Sequence, residues 1–221
     1  MEHLDKLPSF PLFFILLVVG ALFTAFMVIA TSFLKIVVVL HITKSALGLQ
    51  EVPPNMAINA LALILTIYIM APVGIQMSEN FSQYNIDLNN LRDKRIFPAA
   101  MKSSEPLREF LITHSSSRER LFFMDTAKKM WPQKQAEELT ERHLLVAIPA
   151  FTATQLKSAF EVGFLIYLPF IVIDMIVSNI LLALGMMMVS PMTISAPFKL
   201  LLFVLVDGWS RLLHGLILSY N

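Results

Sequence analysis

The chain has 221 residues, of which 56% are hydrophobic and only 15% charged, and its mean hydropathy is +0.68. These values place it among membrane proteins and outside the usual soluble range. It contains no cysteine, which excludes disulfides, thiolate metal sites and a cysteine nucleophile, and its net charge of +1 hides an uneven distribution along the chain.

Met1 to Ser9 is a short polar head in which Glu2 and Asp5 outweigh Lys6. The apolar run that follows, Phe10 to Ala30, is too long for a signal-peptide core and lacks an A-x-A cleavage site, so it reads as a retained helix. At a rise of about 1.5 Å per residue, roughly 20 residues cross the hydrocarbon core of a bilayer. This run meets that length, with only Pro11, Gly20 and Thr24 interrupting it. The next stretch, TSFLKIVVVLHITKSALGLQEVPPN from Thr31, is expected to continue helically with Lys35, His41 and Lys44 and to stop at Pro53 and Pro54. Met56 to Met77 is a second candidate span, with Asn59 near its start, Thr66 and Tyr68 in its middle, and Pro72 expected to kink or end it.

Ser78 to Val146 returns to soluble composition. Eleven of the 17 Lys and Arg fall here against ten acids, so the stretch is a solvated region and not a basic nucleic-acid patch. It carries helical signals in EPLREFLITHSSSRERLFFMDTAKK, a break at Trp131-Pro132, and a size that calls for support from neighbours.

Phe160 to Val189 is the longest apolar stretch and places Asp174 and Asn179 where lipid would lie. A charge there costs about 2.5 to 3.5 kcal/mol on insertion scales, so Asp174 should face protein or water. Two roles fit it: a proton relay, or a structural acceptor for the Ser178 hydroxyl or a neighbouring subunit's donor. Pro197 to Leu218 is a poorer lipid-facing span because Lys199, Asp207, Arg211 and His214 interrupt it. Asp207 with Arg211, and Lys157 with Glu161, have i,i+4 spacing and are expected to pair, while Lys199 and Asp207 are expected to share a face of one helix.

Between these two stretches lies GMMMVSPM. Three adjacent methionines cannot all occupy one helix face, since consecutive residues are about 100 degrees apart. Met186, Met187 and Met188 fit two readings: filler for irregular space where a helix ends before Pro191, or a ring of deformable thioethers, drawn from several subunits, that closes on itself and reopens around a passing chain.

Lys35 and Lys44 against Glu51 put the segment between the first two spans in the cytoplasm and the 78–146 segment on the far side. Phosphate-binding, zinc-protease and nucleophile-elbow motifs are absent, and the five histidines are scattered without ligand spacing. The sequence therefore calls for no catalytic residue, metal or cofactor. A second class stays open, a small proton-coupled secondary transporter or channel using Asp174 and Lys199.

Three stretches carry a resemblance: TSFLKIVVVL with LGLQEVPPN downstream, EPLREFL, and the long segment PAFTATQLKSAFEVGFLIYLPFIVIDMIVSNILLALGMMMVSPMTISAPFKLLLFVLVDGW. Together they resemble the FliP/SctR family, export-gate proteins of bacterial type III secretion, from about Phe13 to Trp209. The resemblance implies a structural, non-enzymatic subunit of an all-α membrane fold. Apolar helical hairpins (1–77, with a proline break at 53–54, and 147–221) would flank a helical soluble middle domain (78–146). Several copies, generally five, would assemble helically into a cone with SctS/FliQ-type and SctT/FliR-type membrane proteins, in contact with a SctU/FlhB-type switch protein. The cone would stand in the bacterial inner membrane at the base of the secretion apparatus, projecting toward the periplasm, in contact with lipid and passing unfolded protein substrates.

In that setting Lys157, Glu161, Asp174, Lys199, Asp207 and Arg211 would face subunit interfaces or the lumen. The residues matching the family's methionine gasket are Met186, Met187 and Met188. Flagellar members commonly begin with a cleavable signal peptide; the acidic head and long apolar run here fit the injectisome branch.

Overall fold

The computed structural model describes residues 10–49, 52–84, 95–137 and 139–221, and among them every regular element is a helix. The first apolar run forms α1 (Phe10–Ala30), and α2 (Phe33–Ala46) follows after a two-residue break. Thr31 explains the break: its hydroxyl turns back onto the Met27 carbonyl and accepts from the Phe33 amide at 3.4 Å, so the side chain competes with the helical ladder.

The sequence placed the end of α2 at Pro53 and Pro54, but the helix stops six residues earlier, at Leu47, because Gly48 adopts a left-handed φ of 74°. The prolines instead precede α3 (Asn55–Ser82), with Pro54 at its N-cap. Pro72 does not end α3, which runs ten residues beyond it.

Four short helices follow: α4 (Ile96–Ser103), α5 (Glu105–Thr113), α6 (Ser117–Met130) and α7 (Gln133–Ala136). As the sequence suggests, α6 ends at Trp131 and α7 begins behind Pro132. Arg120 ties the α5–α6 turn together by donating to the Ile112 and Ser115 carbonyls at 3.0 and 2.6 Å, and it pairs with Glu141 at 3.5 Å.

The organising element is α8 (Leu144–Ala183), 40 residues long with Pro149 and Pro169 inside it. Its buried face repeats every three or four residues through Ala147, Phe151, Gln155, Ala159 and Gly163, the period of an amphipathic helix packed on one side. Small residues on that face let α2 lie close; a Cβ at Gly163 would come within 2.5 Å of the Ile42 side chain. Ile36, Val39 and Leu40 of α2 thus fill the space between Ala159 of α8 and Ile58, Ala62 and Leu65 of α3. A second cluster packs Leu107, Phe110 and Leu111 of α5 onto Ala147 and Phe151 near the start of α8.

The chain closes with α9 (Pro191–Leu205) and α10 (Gly208–Leu218), which bend by 61° at a short break. The opposite faces of α3 and α8 stay apolar and exposed, as at Ile64 (63%) and Leu165 (65%), and α1 is exposed over nearly all its length, as at Phe14 (61%). By length and composition three helices can cross a membrane, α1 from Phe13, α3 and α8, or four if the bent α9–α10 pair counts as one span.

Candidate functional site: the tip and stem of the last hairpin

Helix α8 ends in a Schellman turn. Gly185 takes φ of 73°, its amide donates to the Leu182 carbonyl at 3.0 Å, and the Met186 amide reaches the Leu181 carbonyl at 2.9 Å. The chain then turns tightly, with the Met187 amide donating to the Gly185 carbonyl at 3.0 Å, and enters α9 through Ser190 in an extended conformation and Pro191 in the first turn. The three methionines therefore occupy a loop, which removes the helical constraint that would spread them over different faces. Their exposures rise along the loop, from 44% at Met186 to 80% at Met187 and 101% at Met188. Met186 is more than half covered within its own chain, while Met187 and Met188 stand exposed at the tip.

The stem is held by an ion pair whose ammonium is buried and whose carboxylate is partly exposed. Asp174 of α8 accepts from the Lys199 ammonium of α9 at 2.6 Å, while its other oxygen accepts from the Ser195 hydroxyl. Lys199 is 2% exposed and Ser195 fully buried, one turn apart on the α9 face that meets α8. The acceptor role expected of Asp174 is correct in kind, but its partner is Ser195 and not Ser178. An aromatic contact, Phe170 to Phe203 at 6.2 Å, closes the stem nearby.

The other charges lie apart from this pair. Lys157 and Glu161 stand 3.7 Å apart on the exposed side of α8, in the i,i+4 pairing their spacing suggested. Asp207 and Arg211 do not pair: Asp207 has a left-handed φ of 51°, immediately precedes α10 without a side-chain cap, and accepts from the Ser210 hydroxyl at 2.9 Å, while the Arg211 amide bonds only its carbonyl. Lys199 and Asp207 likewise share no helix face, because α9 ends at Leu205 between them. Among the described residues no three His, Asp or Glu side chains are grouped to hold a metal.

Sequence reasoning passed over a second polar cluster. Lys35, 6% exposed in α2, donates to Ser219 Oγ at 2.8 Å and lies 4.8 Å from the centre of the Tyr220 ring. The Tyr220 hydroxyl donates to Gln155 Oε1 at 2.7 Å, and Gln155 Nε2 donates to the His114 carbonyl at 2.8 Å. The His114 ring meets the Tyr220 ring edge-on at 5.1 Å. Burial lowers the pKa of Lys35 and raises that of Tyr220; burial, and then the charge of Lys35, lower that of His114. The signal was present in FLKIVVVL, a lysine inside an apolar run, but its partners Ser219 and Tyr220 lie 184 residues and more away.

A sequence model of the FliP family matches residues 16–216. The chain belongs to the FliP family. The resemblance carried by the GMMMV and APFKLLLFVLVDGW segments therefore holds across most of the chain. Among similar FliP-family proteins, the Yop proteins translocation protein R of Yersinia pestis is 52% identical over 195 residues, 88% of each chain. The hypersensitivity response secretion protein HrcR of Ralstonia nicotianae is 46% identical over 194 residues, 87% of this chain and 89% of its own. The virulence protein YscR of Salmonella typhimurium is 43% identical over 217 residues, 98% of this chain and all of its own. By these names the relatives are translocation, secretion and virulence proteins.

Proposed function

We propose that this chain is a core subunit of the type III secretion export gate, of the injectisome branch, and that Met186, Met187 and Met188 form its seal. The observation that carries this reading is the hairpin tip. Met187 and Met188 stand out from a glycine turn, with Met186 half-covered behind them, while the stem is tied by Asp174, Ser195 and Lys199. A rigid stem with a soft tip suits a constriction. Several tips arranged in a ring would exclude water and ions by a dry apolar contact, then spread around an unfolded chain without sequence-specific contacts, because methionine side chains are flexible and polarizable.

In this reading several copies, generally five, assemble helically with SctS-type and SctT-type membrane proteins into a cone in the inner membrane, with a SctU-type switch protein beside it. The segment 78–146 faces the periplasm as a middle domain between the 1–77 and 147–221 hairpins. The exposed charges Lys157, Glu161, Asp207 and Arg211 meet neighbouring subunits. The chain performs no hydrolysis; energy comes from elsewhere in the machine. A proton-coupled transporter would need an Asp174 free of fixed partners, and its two oxygens taken up by Lys199 and Ser195 argue for a structural role instead.

The test replaces Met186, Met187 and Met188 together by Ala and measures ion conductance of the assembled complex. The expected result is a leak with assembly intact. A substituted complex that assembles and stays as tight as wild type removes the seal from these residues.

A further inference from the structure

A cleft of about 440 Å³ lies along α10, lined by Lys35 of α2, Val162 and Ile166 of α8, Phe203 and Val206 at the end of α9, and one face of α10 itself. On that face Arg211, Gly215 and Ser219 follow at four-residue intervals and form a row, one turn apart. Gly215 leaves the middle of the row empty, since a Cβ built there would meet nothing within 4 Å. Leu216 is buried in the central core, with Trp209, Leu212 and Leu213 packed against it, so α10 is fixed and the cleft is a standing feature of the fold.

The two cations of the cleft lack counter-charges. Lys35 is 6% exposed, and its ammonium has the Ser219 hydroxyl at 2.8 Å and the Tyr220 ring face as neighbours. Arg211 is exposed, and its guanidinium makes no hydrogen bond among the described residues. Among the described residues no carboxylate lies within ion-pair distance of either, and Asp207, the acid nearest to Arg211 in sequence, is taken up by Ser210. A buried ammonium without an anion is costly, and one hydroxyl and one ring face offset only part of that cost. Between Val162, Ile166, Phe203 and Val206 the lining is wholly apolar, and the apolar surface continues outward to Leu205, 75% exposed. The cleft is thus cationic at one end and apolar at the other.

We propose that it binds an anionic phospholipid, with the phosphate over Gly215 between Lys35 and Arg211 and one acyl chain along Val162, Ile166 and Phe203. Lys35, held by burial, is the fixed anchor. Arg211 stands about 12 Å along the helix axis from Ser219, a distance that its long side chain and a phosphodiester fill together. A zwitterionic lipid brings a cation of its own into the same notch and is disfavoured. A neighbouring helix, about 10 Å across with its side chains, is too bulky for a cleft of this volume, whereas an acyl chain is not. The guanidinium has donors on two edges, so a phosphate on one leaves the other for a neighbouring subunit. This inference does not rest on the secretion reading.

Trp209 reports on the site, because its ring meets Phe203 of the cleft wall edge-on at 5.2 Å, and Trp131→Phe leaves it as the only tryptophan. The full chain in mild detergent is titrated with phosphatidylglycerol and with phosphatidylcholine, each brominated on its acyl chains so that it quenches a nearby indole. Phosphatidylglycerol is expected to quench Trp209 at about one tenth of the concentration that phosphatidylcholine requires, the factor that one charge-assisted hydrogen bond supplies. Arg211→Gln should lose part of this preference and Lys35→Met all of it, while Lys35→Arg should keep it. Equal quenching by the two lipids before any change at the cleft overturns the proposal. So does a preference undiminished in Lys35→Met or in Arg211→Gln, the latter an exposed substitution that leaves the core intact. The same titration is made on the complex co-extracted with its neighbouring small membrane proteins, where the preference for phosphatidylglycerol is expected to persist. Loss of Trp209 quenching there would show that a protein carboxylate holds the two cations, and would overturn the lipid.

Discussion

Lys199 is 2% exposed, so the cost of removing Asp174 is set by what stays behind: an ammonium buried between α8 and α9 with no counter-charge. Breaking such a pair from one side costs about 3–5 kcal/mol, whereas replacing both partners by apolar groups of similar size is often close to neutral. Asp174→Ala should therefore lower the thermal midpoint in detergent sharply, and the double replacement D174L/K199M should recover most of the loss. Ser195→Ala, which removes one hydrogen bond, should cost about 1 kcal/mol. If Asp174→Ala melts like wild type, the pair does not hold the stem. At this scale the sequence was half legible. A charge in an apolar run announces that it needs a partner, and Asp174 and Lys199 were singled out on that ground. Which partner each would find depends on how α8 and α9 fold against each other, and local spacing pointed to Ser178 and Asp207 instead. The left-handed Asp207 that separates α9 from α10 was illegible, because nothing in VLVDGW demands a positive φ before the glycine.

The helices themselves were written plainly in runs of apolar residues, and their ends were not. The prolines at 53 and 54 were the conspicuous stop, yet Gly48 ends α2; the 197–218 run looked continuous, yet it bends by 61°. In both places a single residue with positive φ outweighs the pattern around it. The turn at Gly185 belongs to the same class and supports a prediction. A side chain there must adopt the strained left-handed region, so Gly185→Ala should destabilise by about 1 kcal/mol and loosen the end of α8. Circular dichroism melts of the purified chain, with an exposed alanine substitution as control, would measure it; an unchanged midpoint would show that the turn is not fixed by Gly185. Gly163→Leu tests a different element contact. Its side chain would collide with Ile42, and the predicted outcome is loss of the folded chain from detergent extracts, because α2 and α8 cannot separate without opening the central core.

Taken whole, the molecule buries one face of α3 and of α8 and leaves the other apolar and exposed, at Ile64, Phe164 and Leu165 among others, while α1 is exposed over nearly all its length, as at Leu22. Contiguous surface of this kind is covered by lipid or by protein. Co-expressed with its neighbouring small membrane proteins and extracted in mild detergent, the chain is expected to migrate in native mass measurements as one defined hetero-oligomer containing several copies of itself. A monomer or simple dimer indifferent to those partners would count against the export gate. The contact between the middle helices and the last residues, through Phe110, His114 and Tyr220, is a whole-molecule property that no window of sequence displays. It joins segments that composition alone divides at about residues 78 and 146.

The length of α8 has a mechanical consequence. Forty residues make a rod of about 60 Å, about twice the roughly 30 Å of hydrocarbon that a bilayer offers. A beam longer than the gap it bridges must overhang. The early part of that beam carries α5 and α6, seated on Phe151, Thr154 and Gln155, and its far end carries the methionine turn. Between the end gripped by α5 and the thioethers the one interruption of the backbone ladder is at Pro169, so a tilt at the first is carried to the second along a single helix with one weak point.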